Sequence, residues 1–168
     1  MDFLWSPWRF QYVSTAESSP GCVFCEAPRR EDEAVFILYR GRENFIIMNL
    51  FPYTTGHVMV APYRHLAWLA EAPKPITDEM MDLAKWCQQV LEEVYHPHGF
   101  NVGLNLGRAA GAGIADHFHL HVVPRWVGDT NFTTVVGETR VLPEDLPTTY
   151  RRLRNVFDRG LRLPAPDR

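Results

Sequence analysis

The chain has 168 residues, 46% of them hydrophobic and 22% charged, with a formal net charge of −3. That length favours one domain over residues 1–168, with a core large enough to fold without disulfides or metals. The slightly acidic balance excludes a basic field for non-specific nucleic-acid binding, and no apolar run approaches the ~20 residues that span a bilayer.

In chain order, residues 1–33 read as irregular, yet Phe3, Trp5, Trp8, Phe10 and Tyr12 are too many aromatics for a free tail. The segment is expected to pack on the domain or on a partner subunit. The start Met1-Asp2-Phe3-Leu4-Trp5 has neither a basic leader nor a signal-type apolar core. The lone pair Cys22-x-x-Cys25 does not suit a secreted disulfide scaffold, so a cytoplasmic protein is expected. Short β-branched and aromatic runs at 35–39, 45–49 and 57–61, separated by turn signals, predict an antiparallel meander. Thr77 opens the one clear helix, with Asp78 and Glu79 in its first turn. Met80, Leu83, Ala84, Cys87, Val90, Leu91 and Val94 recur at helical spacing, and Pro97 with Gly99 stops it. A strand over 100–106, a glycine-rich loop over 107–113, a strand over 117–123 and an Arg-rich helix within 143–160 follow. The fold class is α+β: an antiparallel meander sheet of about five strands, one long helix and a second, C-terminal helix.

The strand over 117–123 carries the chemistry. Alternation puts His117, His119 and His121 on one face and Phe118, Leu120 and Val122 in the core. Three imidazoles are costly to bury without partners. They suit a three-histidine metal site, or nucleotidyl transfer in which one neutral imidazole attacks phosphorus and its neighbours donate hydrogen bonds. The loop from Asn105 through Gly107, Gly111, Ala112 and Gly113 favours the second, because small residues let backbone N–H groups approach a phosphate. Asp116, the only adjacent carboxylate, points to the opposite face.

Cys22-x-x-Cys25 is half a zinc site, and Pro20-Gly21 before it does not match a redox motif that opens a helix. His65 is a histidine without an assignment. His96-Pro97-His98 lies at a helix end and reads as a solvated stop, while Trp68 and Trp86 read as core or interface and Arg108 and Arg125 as surface charge.

The run His117-Phe118-His119-Leu120-His121-Val122-Val123 resembles the signature of the histidine triad superfamily of nucleotide hydrolases and transferases. The stretch from Asn49 through His57 to Pro62 is similar to its nucleoside-binding hairpin, and the likeness covers about 20–137. The stretches Leu4-Trp5-Ser6-Pro7-Trp8-Arg9, Gly99 to Asn105 and Pro124-Arg125-Trp126 look closest to the bacterial diadenosine tetraphosphate phosphorylase or ATP adenylyltransferase branch. The resemblance implies that His119 is the nucleophile, oriented by the backbone oxygen of His117, with His121 and His57 completing the phosphate site. It implies that Asn49 holds the ribose, that Asn105 and Gly111–Gly113 hold phosphate, and that Leu50, Gly107, Ala112, Ile114 and Trp126 complete the substrate pocket.

It further implies a structural zinc on Cys22, Cys25, His65 and His117, no catalytic metal, and a homodimer or tetramer. Nucleotide and inorganic phosphate are the implied partners, with neither nucleic acid nor membrane. Many family hydrolases carry a glutamine before the triad; here Ala112-Gly113-Ile114 stands in that region, which favours phosphorolysis of a dinucleoside polyphosphate. It also departs from the Gly-Ser version associated with phosphorylases, so the acceptor stays open between phosphate and water. Hydrolysis of dinucleoside polyphosphates or nucleoside phosphoramidates, and nucleotide binding without catalysis, are the alternatives.

Overall fold

The computed structural model describes residues 21–130 and 142–160. The aromatic N-terminal run lies outside the described residues. Five strands form one antiparallel sheet: β1 (Ile37–Arg40), β2 (Asn44–Met48), β3 (Val58–Pro62), β4 (Gly99–Leu104) and β5 (Leu120–Arg125). The helices are α1 (Val23–Glu26), α2 (Asp32–Val35), α3 (Lys74–Tyr95) and α4 (Leu146–Phe157).

The first three strands are the expected meander, and the order then becomes β1-β2-β3-β5-β4. The burial of the last two strands accounts for the departure. Leu120, Val122 and Val123 of β5 are buried, which suits an interior position, whereas Asn101, Val102 and Gly103 of β4 are exposed and sit at the edge.

Alternation splits the apolar side chains between two faces. Ile46, Met48, Val58, Val60, Leu120 and Val122 pack with α3, while Phe45, Ile47, Met59 and Ala61 pack with Phe24 and Ala27 of the 21–29 segment. That segment is therefore ordered, as α1 and a 3-10 turn over Ala27–Arg29, where an irregular run was expected. Phe36 adopts φ 59 after the single turn of α2, so β1 starts at Ile37 and not at Val35.

Helix α3 starts earlier than Thr77, since Pro75 is compatible with a first turn that leaves its N–H position unpaired. Cys87 is fully buried on its apolar stripe, and His96 ends the helix in the left-handed region at φ 46. Asp145 caps α4 by accepting from the Thr148 N–H at 2.7 Å. Tyr150, Leu153 and Phe157 of α4 then pack within the chain, with Phe157 edge-on to Trp86 at 4.8 Å.

The β1–β2 turn depends on a carboxylate from α3. Glu79 accepts from the backbone N–H groups of Arg42, Glu43 and Asn44 at 2.7, 2.7 and 2.8 Å, and from the Asn44 side chain at 2.9 Å. A Cβ on Gly41 would come within 2.9 Å of the same carboxylate, so glycine is required at this approach. Burial opposes ionisation of Glu79, but these hydrogen bonds outweigh it and hold its pKa below the usual value. Glu79→Gln is therefore expected to cost about 1–3 kcal/mol at neutral pH. A lowered native pKa stabilises above the unfolded value of ~4.3, and that contribution is lost as pH falls through the native one. Urea unfolding of both proteins at several pH values should show the difference shrinking below about pH 4.

Candidate active site

His119 sits under α1, only 5% exposed. Its Nδ1–H donates to the backbone oxygen of His117 at 2.9 Å, which leaves the lone pair on Nε2. Burial lowers its pKa, against that hydrogen bond, which favours the neutral imidazole near pH 7. The Phe24 ring lies 4.6 Å from its centroid and excludes water from one side. Phe24 was missed in the sequence because a four-residue turn is too short to show a period.

His121 is held in the opposite protonation pattern. The Tyr53 N–H donates to His57 Nδ1 at 3.1 Å, and the Asn49 side-chain amide lies 3.3 Å from the same nitrogen. The hydrogen-bond network therefore places the His57 proton on Nε2, from which it is donated to His121 Nδ1 at 2.9 Å. The remaining His121 proton is on Nε2, which makes that atom a donor. One triad imidazole thus presents a lone pair and its neighbour presents a hydrogen. The strand ladder itself begins at Leu120, so His117 and His119 precede the paired segment, where Phe118 N–H bonds Leu66 O instead.

A cavity of about 980 Å³ opens beside His121 and includes Asn105 and Trp126 in its walls. Asn49 is nearly buried behind His57, its side-chain oxygen accepting from the Phe51 N–H at 2.9 Å. Leu50 is half exposed, and Ile114 packs on the Phe24 and Met59 cluster. The loop after β4 forms a 3-10 turn over Arg108–Ala110, with Gly107 and Gly111 at φ 78 and φ 85. Trp68 stacks close over Gly107, where a Cβ would come within 3.2 Å. The N–H groups of Ala110, Gly111 and Ala112 bond to carbonyls of Gly107 and Arg108, inside the loop.

Two residues read as solvated do structural work. Arg125 grips Asp129 through two nitrogens at 2.6 and 2.8 Å and donates to Asn101 at 2.6 Å. His98 Nδ1 accepts from the Val127 N–H at 2.9 Å, and the His98 N–H bonds Arg125 O, so the histidine after Pro97 pins the turn that follows β5.

Cys22, Cys25, His65 and His117 converge, with their ligand atoms all within 4.8 Å of one another. Cys22 Sγ lies 3.2 Å and Cys25 Sγ 3.6 Å from His117 Nδ1, and Cys25 Sγ lies 3.3 Å from His65 Nδ1. A tetrahedral zinc with ordinary bond lengths needs sulfur–nitrogen edges of about 3.5 Å, so this donor set fits the metal. His117 Nε2 donates to Pro62 O at 2.9 Å, turning the Nδ1 lone pair to the sulfurs. Burial, with help from His65 and His119 and against that bond, pulls the His117 pKa to about 4, so it is neutral as a ligand must be. Burial and the adjacent Cys22 push the Cys25 thiol up to about 11, against the pull of the Arg29 guanidinium.

The HIT domain family model matches residues 30–127, more than half of the chain. The chain belongs to the HIT family. The AP-4-A phosphorylase of Mycobacterium tuberculosis (strain H37Rv) is 40% identical over 164 residues, covering 93% of this HIT chain and 84% of the relative. The bis(5'-nucleosyl)-tetraphosphatase (asymmetrical) of Schizosaccharomyces pombe is 34% identical over 94 residues, covering 55% of the chain and 50% of the relative. Among solved structures, a zinc-bound histidine triad family protein from Mycobacterium smegmatis superposes with TM-score 0.66 at 28% identity, covering 86% of this chain and 96% of that one. No helix among the described residues of this HIT protein is long and apolar enough to cross a membrane.

Proposed function

We propose that this HIT protein is a cytoplasmic phosphorylase of dinucleoside polyphosphates that works through a covalent nucleotidyl-histidine. The observation that carries it is the complementary pair of imidazoles: a lone pair on His119 Nε2 next to a proton on His121 Nε2. With diadenosine tetraphosphate, His119 Nε2 attacks the α-phosphorus of one adenylate, the bond to the bridging oxygen breaks, and ATP departs. His121 donates to a non-bridging oxygen as charge builds there, with His57 holding its tautomer. Inorganic phosphate then attacks the same phosphorus, the P–N bond breaks, and ADP is released.

Asn49 holds the ribose, while Asn105 and the Gly107, Gly111 and Gly113 backbone neighbour the phosphates. Leu50, Ala112, Ile114 and Trp126 complete the pocket. Cys22, Cys25, His65 and His117 hold a structural zinc, which ties α1 to the residue whose carbonyl orients His119. The 40% identity to a phosphorylase over most of both chains supports phosphate as acceptor, and the chain works as a homodimer or tetramer.

Product analysis with and without inorganic phosphate tests the acceptor. ADP plus ATP, formed in proportion to added phosphate, is the expected result. AMP plus ATP at the same rate without phosphate would replace phosphorolysis by hydrolysis.

A further inference from the structure

We propose that the cavity beside His121 is a second nucleoside site, which binds the base and ribose of the departing nucleotide. It rests on nucleotidyl transfer by His119, and it adds where the other half of a dinucleotide lies.

The position of the cavity follows from strand register. Gly103 of β4 faces His121 of β5, Asn101 faces Val123, and Gly99 faces Arg125. Directly opposed residues point to the same side of a sheet, so the floor of the cavity runs from His121 along both strands to Arg125. The Tyr53 ring lies 6.2 Å from the His121 ring and nearly parallel to it, which begins an aromatic wall that Trp126 continues. A phosphate held by the His121 donor is therefore attached, on this side, to whatever fills the cavity.

The charges in the walls select against more phosphate. Arg125 is engaged by both Asp129 oxygens, which holds that carboxyl down at about 2. Arg152 pairs with Glu144 and lies 4.7 Å over the Tyr95 ring, while Tyr95 OH donates to the same carboxylate. Among the described lining residues each cation has its own anion, so a polyphosphate there would meet two carboxylates and no uncompensated arginine. Among the described residues, what remains away from Asn105 is a neutral wall with aromatic faces and the side-chain amide of Asn101. That combination recognises a flat, uncharged, hydrogen-bonding group, and a base with its ribose is such a group. The volume, about 980 Å³, is ample for it. Gly103 keeps the space open: a Cβ built there meets nothing within 4 Å, and no positive φ demands glycine.

Two substrates separate the site from the chemistry. Diadenosine tetraphosphate and adenosine tetraphosphate present the same adenylyl group to His119 and differ in whether the leaving polyphosphate carries a nucleoside. The ratio of their kcat/KM values should be about tenfold or more in favour of the dinucleotide, the contribution expected of one stacked base. Gly103→Phe, which fills the cavity from its floor, should bring the ratio towards one by raising KM for the dinucleotide. Asn101→Ala, a gentler change, should lower it in the same direction, and serves if Gly103→Phe fails to fold. A ratio near one in the wild-type protein overturns the second site, as does an unchanged ratio in a folded variant. Failure of both compounds to adenylylate the protein would instead overturn the role of His119, and the second site with it.

Discussion

Replacing His119 by glycine is expected to lower turnover of diadenosine tetraphosphate by roughly 10⁴-fold or more, the scale of loss when a covalent nucleophile is removed. The expectation follows from how narrowly the site defines its nucleophile. His117 has both ring nitrogens committed, one to Pro62 O and the other to the cysteine sulfurs. His57 Nδ1 takes the Tyr53 N–H and its Nε2 faces His121. Only His119 combines a neutral ring, a backbone-fixed Nδ1 proton and an Nε2 lone pair. Glycine there also removes the ring that Phe24 covers, so circular dichroism of the variant should accompany its steady-state kinetics. A loss below about tenfold would be too small for nucleophilic catalysis.

The second large effect concerns the metal. Removing zinc with a strong chelator is expected to lower the thermal midpoint by ~10 °C, since a few kcal/mol of metal binding is coupled to folding. The donors come from α1, the stretch after β3 and the approach to β5, and α1 alone offers few apolar contacts with which to stay docked. Cys22→Ala should show the lower midpoint from the start, bind no metal on reconstitution, and turn over more slowly as Phe24 and the His117 carbonyl lose their fixed positions. Metal analysis and thermal unfolding decide it: a protein that purifies without zinc and is indifferent to chelation contradicts the proposed site. Among the described residues, His119 and His121 do not belong to that donor set.

Much of this was legible in the sequence because the informative residues carry periodic or spaced side chains. The two-residue spacing of the triad assigned a face, and the three- and four-residue spacing from Met80 to Leu91 assigned the long helix. Cys22, Cys25, His65 and His117 could be grouped by family resemblance, and the fold brings all four together. Main-chain partners were harder. The Tyr53 N–H that sets the His57 tautomer and the Pro62 carbonyl that turns His117 to the cysteines belong to no particular residue type, so no letter in the sequence marks them. The order of β4 and β5 was hidden for a related reason. Both runs read as strands, and only the burial of β5 between its neighbours decides which one lies at the edge. His98 looked like a helix stop because its acceptor role depends on a turn nearly thirty residues later.

The central claim is a covalent bond between His119 and an adenylyl group. Incubating the wild-type protein with diadenosine tetraphosphate in the absence of phosphate, quenching rapidly and mapping peptides by mass spectrometry tests it directly. The account predicts an added adenylyl group on the peptide containing His119, localised to that side chain and discharged as ADP when phosphate is supplied before the quench. Turnover with no labelled peptide, or a label on another residue, would contradict it.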